Sequence, residues 1–231
     1  MKQLKQDLQK IVALKRRRHH PLVHAVHKAY GISRKTLFYV KEYGSHSNVP
    51  RTIIKESLKI LLLASIISLA GGTAIEQIKL MFVAMIPLII LLPALNDMIG
   101  DYGSIVSSRV ATMLHEGKIR GNWHKNKEIR KLFNQILFVA VTMAVLSAGA
   151  SLLLAHLSGF DSSISVSIKV FVIAIVDVAL LVTLLSSIAV TAGIYYFRKK
   201  EDPNNMLIPI TTSVADFANM IILSVLFLVL F

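Results

Sequence analysis

The chain has 231 residues, of which 54% are hydrophobic and none is cysteine, and its 26 Lys and Arg against 13 Asp and Glu give a formal charge of +13. With a mean hydropathy of +0.62, this exceeds the roughly 45–50% apolar content of soluble domains and points to a multi-span membrane protein. The lack of cysteine excludes disulfides and thiolate metal sites. The basic residues lie beside apolar runs, where anionic headgroups are the natural partner, so the charge predicts contact with membrane lipids and no nucleic acid binding.

Residues 1–51 read as a basic helical cap on the cytoplasmic side. Leu4, Leu8, Ile11 and Val12 recur at helical spacing among Lys and Gln, which predicts an amphipathic helix lying on the membrane or on the transmembrane bundle. A second helix is expected from Leu22 to Tyr30, ending at Gly31, and Ser33 is placed to cap a third reaching Tyr43. His20, His24 and His27 share a helix face beside His19, a spacing open to a transition metal. No carboxylate is at hand to orient the rings, so a solvated or lipid-facing surface is the better reading. The first residues are basic and polar, with no short apolar core and cleavage site, so the spans are expected to direct insertion.

Residues 52–231 predict five spans. The first runs from about Thr52 to Ala70, and Gly71 and Gly72 are expected to form the turn to a second, which begins near Leu80 and continues, interrupted, toward His115. The third covers Leu132 to Leu157, the fourth Ile164 to Phe197 and the fifth Met206 to Phe231. An odd number puts the termini on opposite sides.

Short loops rich in Lys and Arg stay cytoplasmic. Twelve such residues precede or include Arg51, and Lys118, Arg120, Lys125, Lys127, Arg130 and Lys131 follow the second span, with Arg198, Lys199 and Lys200 after the fourth. The opposite side offers Lys79 and none around Ser158 to Ser165. The expected orientation in the cell membrane is N-terminus cytoplasmic, C-terminus external.

The second span is too long for one straight crossing: about 36 residues would extend roughly 54 Å against a hydrocarbon core of about 30 Å. Pro87, Pro93, Gly100 and Gly103 predict a broken helix, with the break between Pro93 and Gly103. Asn96, Asp97 and Asp101 lie at that break. Carboxylates at bilayer depth cost several kcal/mol unless they face protein, water or a cation, which makes them candidate site residues. Asp216 follows Pro209, Thr211, Thr212 and Ser213 in the fifth span, with Asn219 one turn on, about 15 Å deep at 1.5 Å per residue. Asp177 lies among unbroken aliphatics in the fourth span, where an internal hydrogen bond or pairing with Lys169 or Arg109 reads as well as function does. The candidate ligands are Asp216, Asp101, Asp97, Asn96, Thr212, Ser213, Asn219 and Asp177. These are hard oxygen donors suited to Mg²⁺ or Ca²⁺.

Two stretches resemble the MgtE and solute carrier family forty-one magnesium transporters. One matches at Pro93, Ala94, Leu95, Gly100, Ser108, Arg109 and Thr112, the other at Asp202, Pro203, Asn205, Ile208, Pro209, Thr212, Ser213 and Asp216. The resemblance implies an all-α integral membrane protein of five transmembrane helices. It further implies a parallel homodimer whose second and fifth spans line a pathway for Mg²⁺ or a related divalent cation, with the family's pore aspartate at Asp216. Its Gly-Asn pair falls on Gly100 and Asp101, so a carboxylate stands where the family has an amide, and Asp97 replaces a family glycine. The family's large cytoplasmic sensor domains are not expected here, so gating by them is not carried over.

The alternative within transport is a Na⁺- or H⁺-coupled exchanger of another solute, with Na⁺ as a possible coupling ion. An intramembrane aspartyl protease is disfavoured because Met98 occupies the first glycine of a Gly-x-Gly-Asp motif, so the chain is not read as an enzyme. A purely structural or lipid-organising protein is the remaining reading.

Overall fold

The computed structural model describes residues 2–12, 21–32, 36, 37, 40, 49–119, 123, 126–199 and 203–231, without the side chains of 49–53, 55–57 and 59. Seven helices occupy them: α1 (Lys2–Val12), α2 (Pro21–Tyr30), α3 (Val49–Val83), α4 (Ile86–His115), α5 (Lys127–Leu157), α6 (Ile164–Arg198) and α7 (Pro203–Leu230), with no strand among the described residues. The last five contain segments long and apolar enough to cross a membrane.

Local chemistry sets the boundaries. Asn126 caps α5 by accepting from the backbone N–H of Glu128 and Ile129, and Ser163 caps α6 by accepting from that of Val166. Gly31 stops α2 at φ 68°, as its position predicts.

The turn between the first two spans is not at Gly71–Gly72. Helix α3 runs straight through both glycines, and the chain turns instead at Ala84 and Met85, with Pro87 in the first turn of α4 where its missing N–H is harmless. Gly71 serves packing: a Cβ there would lie 2.9 Å from the Phe217 Cα and 3.1 Å from the Met220 sulfur. The two backbones therefore touch, which is how small residues bring membrane helices together.

The second span is also unbroken. Helix α4 continues from Ile86 to His115 through Pro93, Gly100 and Gly103. Pro93 removes a single intrahelical hydrogen bond, and neighbouring helices hold the rest in line. At 1.5 Å per residue α4 is about 45 Å long, so it accommodates its excess over a core of about 30 Å by protruding or tilting.

Helix α7 packs against α3, α4 and α6, α4 packs against α6 as well, and α5 packs against α4 and α6. The buried alanines of α5, Ala140, Ala144, Ala148 and Ala155, recur every four or seven residues and form its narrow contact stripe. Gly103 of α4 sits where three helices meet, its missing Cβ 3.2 Å from Thr211 and 3.4 Å from Leu185.

The N-terminal helices form their own small core. Ile11, Val26 and Leu37 are buried together, flanked by Leu4, Leu8, Leu22 and Val23. The apolar edge of α1 packs against α2 and the residues beyond it. His27 Nδ1 donates to the Ile32 carbonyl at 2.6 Å. Arg16, Arg17, Arg18, His19, His20, Arg120, Lys125, Lys200, Asp202, and Ser33 with most of the helix expected after it, lie outside the described residues.

The α3–α7 contact yields a stability test. Gly71→Ala forces the two backbones apart and should cost about 1–3 kcal/mol, as overpacking does. Gly72→Ala meets nothing within 4 Å and should be neutral or stabilising by up to about 1 kcal/mol through helix propensity. Thermal unfolding of the purified variants in detergent checks this. Equal melting temperatures would show that the helices do not meet there.

Candidate functional site

The polar run of α7 is organised by its own backbone. Thr212 Oγ1 donates to the Ile208 carbonyl at 3.0 Å, and Ser213 Oγ to the Pro209 carbonyl at 2.8 Å. Each hydroxyl proton is thereby spent inside the helix, leaving oxygen lone pairs to accept from a ligand. Thr211 is fully buried and meets Ser107 of α4 at 3.0 Å, a packing role.

Asp216 is the node. Its Oδ1 accepts from Asn96 Nδ2 of α4 at 2.8 Å and its Oδ2 from Ser68 Oγ of α3 at 3.0 Å. Asn219, buried one turn further along α7, donates from Nδ2 to Asn96 Oδ1 at 2.9 Å. This makes a directed relay, Asn219 to Asn96 to Asp216. A carboxylate offers about four lone-pair positions, of which two are used here.

Asp216 opens onto a groove of about 520 Å³ between α3 and α7. Its polar lining comes from Ser65, Ser68, Thr212 and Ser213, and the rest from aliphatic and sulfur-bearing side chains such as Leu61 and Met220. Ser65 Oγ donates to the Leu61 carbonyl at 2.9 Å, so it too presents lone pairs. Hydroxyl oxygens around one carboxylate suit a cation that keeps its water, because bound water presents protons outward.

The structure brings together Asp216, Asn96, Asn219, Thr212 and Ser213, but not the other three candidates. Asp97 and Asp101 are exposed on α4, one residue and five residues past Asn96 and turned away from α7. Asp177 is fully buried, and neither carboxylate oxygen has a hydrogen-bond partner among the described residues. Eight residues along each helix from the junction of Gly103, Leu185 and Thr211 lie Leu95, Asp177 and Asn219, all about 12 Å away at one level. Asp177 therefore shares the depth of the relay without bonding to it. Neither Arg109 nor Lys169 forms an ion pair with these acids among the described residues; Lys169 Nζ lies 4.6 Å from the centre of the Phe231 ring.

Ser65 and Ser68 are absent from the sequence-based candidates. Their signal is present: with Gly72 they form an i, i+3, i+7 polar stripe on an otherwise aliphatic helix. No group of three His, Asp or Glu is placed to hold a metal among the described residues.

Comparison with curated proteins and with solved structures gave no match. A family model described as MgtE, divalent cation transporter, matches residues 92–226, more than half of the chain. The match spans the relay from Asn96 to Asn219 and both motif stretches. The chain is therefore a multi-pass membrane protein, and it belongs to the MgtE family of divalent cation transporters.

Proposed function

We propose that the chain moves Mg²⁺ or a related divalent cation along a pathway lined by α4 and α7 of a homodimer, with Asp216 as its central ligand. The observation that carries this is the Asp216 carboxylate, held by Ser68 and Asn96 at membrane depth and open to a hydroxyl-lined groove within the family match. Residues 52–231 form the transport unit in this reading, and residues 1–51 a cytoplasmic cap.

Among the described residues one chain supplies one carboxylate to the groove, which is little for a divalent ion. A second copy related by an axis along the membrane normal would set two Asp216 side chains across the pathway, where a hydrated divalent cation relieves their repulsion. Asp97 and Asp101 favour the same arrangement. They are exposed about 16 and 22 Å along a helix of about 45 Å, where a lipid-facing carboxylate would cost several kcal/mol. Their face of α4 is better turned toward the partner and the water of the pathway. Asp177, fully buried away from the groove, serves the packed bundle in this reading and not the ion. The protein acts as a transporter and not as an enzyme.

The role of Asp216 is tested by Asp216→Asn, which keeps shape and the Ser68 bond, removes a charge from each subunit and sets an N–H donor against Asn96 Nδ2 in place of an acceptor. Mg²⁺ flux into liposomes, normalised to folded dimer, should fall at least about tenfold, equivalent to about 1.4 kcal/mol. Asp101→Asn, which restores the family residue, should be milder. Wild-type flux in Asp216→Asn would remove this residue from the ion path.

Single cysteines along Asp216 to Leu223 should crosslink between subunits at helical spacing if α7 lies at the dimer interface. A monodisperse monomer with full flux would refute the dimer. Orientation follows from the basic loops, since Lys79, on the sparse side, is paired with Glu76. A tag at Met1 should be protected outside intact cells and one at Phe231 accessible; access to both from one side would overturn this topology.

A further inference from the structure

A second groove, of about 560 Å³, lies between α4 and α5 at their basic ends. It is about a quarter turn around α4 from the Asp97–Asp101 stripe, since Arg109 and Glu116 follow Asp101 by eight and fifteen residues at about 100° each. Ile105, Ile136 and Val139 line the end toward the membrane centre, and Arg109, Lys118, Glu116, Glu128 and Lys131 the other. Apolar and charged ends are separated by about two turns of α5, or roughly 12 Å.

The charges at the basic end are not all committed. Lys118 pairs with Glu116 at 2.8 Å. Arg109 and Lys131 have no ion-pair partner among the described residues, and neither has Glu128. Among the described lining residues, Arg109, Lys118 and Lys131 against Glu116 and Glu128 leave one net positive charge facing a slot that is apolar further in.

We infer that this groove binds one anionic phospholipid, its phosphodiester on Arg109 and Lys131 and the upper part of an acyl chain along Ile105 and Val139. The guanidinium presents a fork that matches two phosphate oxygens, and the lysine stem reaches the headgroup level along apolar surface. A headgroup of net charge −1 neutralises the remaining positive charge, whereas a zwitterionic one leaves it standing. A free phosphate would leave the apolar half of the groove unfilled. Basic pockets between helices at this level are the usual seats of anionic headgroups. The site depends on the membrane embedding of α4 and α5 and not on the ion path, so Asp216→Asn should leave it unchanged.

The test titrates the purified full chain in detergent with phosphatidylglycerol and with phosphatidylcholine, read by native mass spectrometry. Phosphatidylglycerol should bind at least about tenfold more tightly, and Arg109→Gln with Lys131→Gln should remove that preference, while Arg109→Lys keeps most of it. Val139→Trp fills the slot at an exposed position without changing charge and should also block binding, which keeps the test decisive if the double variant does not fold. Equal affinity for the two lipids, or a preference untouched by both the double variant and Val139→Trp, would overturn the inference. Displacement of the lipid by millimolar inorganic phosphate would instead identify a soluble-anion site, and a disulfide between subunits at Val139→Cys would show a second copy in the groove. Either result rejects the lipid.

Discussion

The carboxylate of Asp216 is the interaction on which the arrangement of the bundle turns. A charge at this depth is tolerated only with donors in place, and its two come from different helices, Ser68 on α3 and Asn96 on α4. Three helices are thereby fixed at one level. Asn219 adds a second link between α7 and α4, so the relay sets axial register where aliphatic packing alone would permit sliding.

That register needs close approach, and glycine and alanine supply it. The α3–α7 contact at Gly71 brings a backbone near enough for the Ser68 hydroxyl, three residues earlier, to reach Asp216. A serine side chain is short, so the bond exists only where the helices nearly touch. Gly103 has the same function on the other side, admitting Thr211 and Leu185 to one junction and setting the level of Asn96 above it. Backbone contacts between apolar helices thus determine where the polar atoms meet.

The five helices long enough to cross a membrane were legible from apolar run length, and the polar stretch of α7 from its hydroxyls, proline and acid. The turn and the break differ from expectation for one reason. Gly and Pro interrupt isolated or water-exposed helices, and that rule predicts both interruptions here. In a packed apolar bundle an unsatisfied backbone is more costly than a strained helix, so Gly71, Gly72 and Pro93 are carried inside continuous helices. The Ser65, Ser68 and Gly72 stripe is visible in the sequence, but nothing local says which acid it serves, because the Ser68 partner is 148 positions away. Likewise α1 was legible as amphipathic, but period alone does not say what covers an apolar edge, and here it is α2.

The four membrane acids show that depth by itself does not define a site. Asp177 and Asp216 lie within about a turn of each other along the bundle by register, yet one is fully buried with no hydrogen-bond partner among the described residues and the other has two donors and an open groove. Asp97 and Asp101 are exposed on a helix whose other faces are packed. A sealed acid and an exposed acid are both expensive in a single chain, but for opposite reasons: the first lacks hydrogen bonds, the second would meet lipid. Only the second cost can be removed by assembly, since a partner or a water-filled pathway can cover a surface but cannot reach an interior. The proposed dimer therefore accounts for Asp97 and Asp101 as well as Asp216, and leaves Asp177 to the packing between α6 and its neighbours.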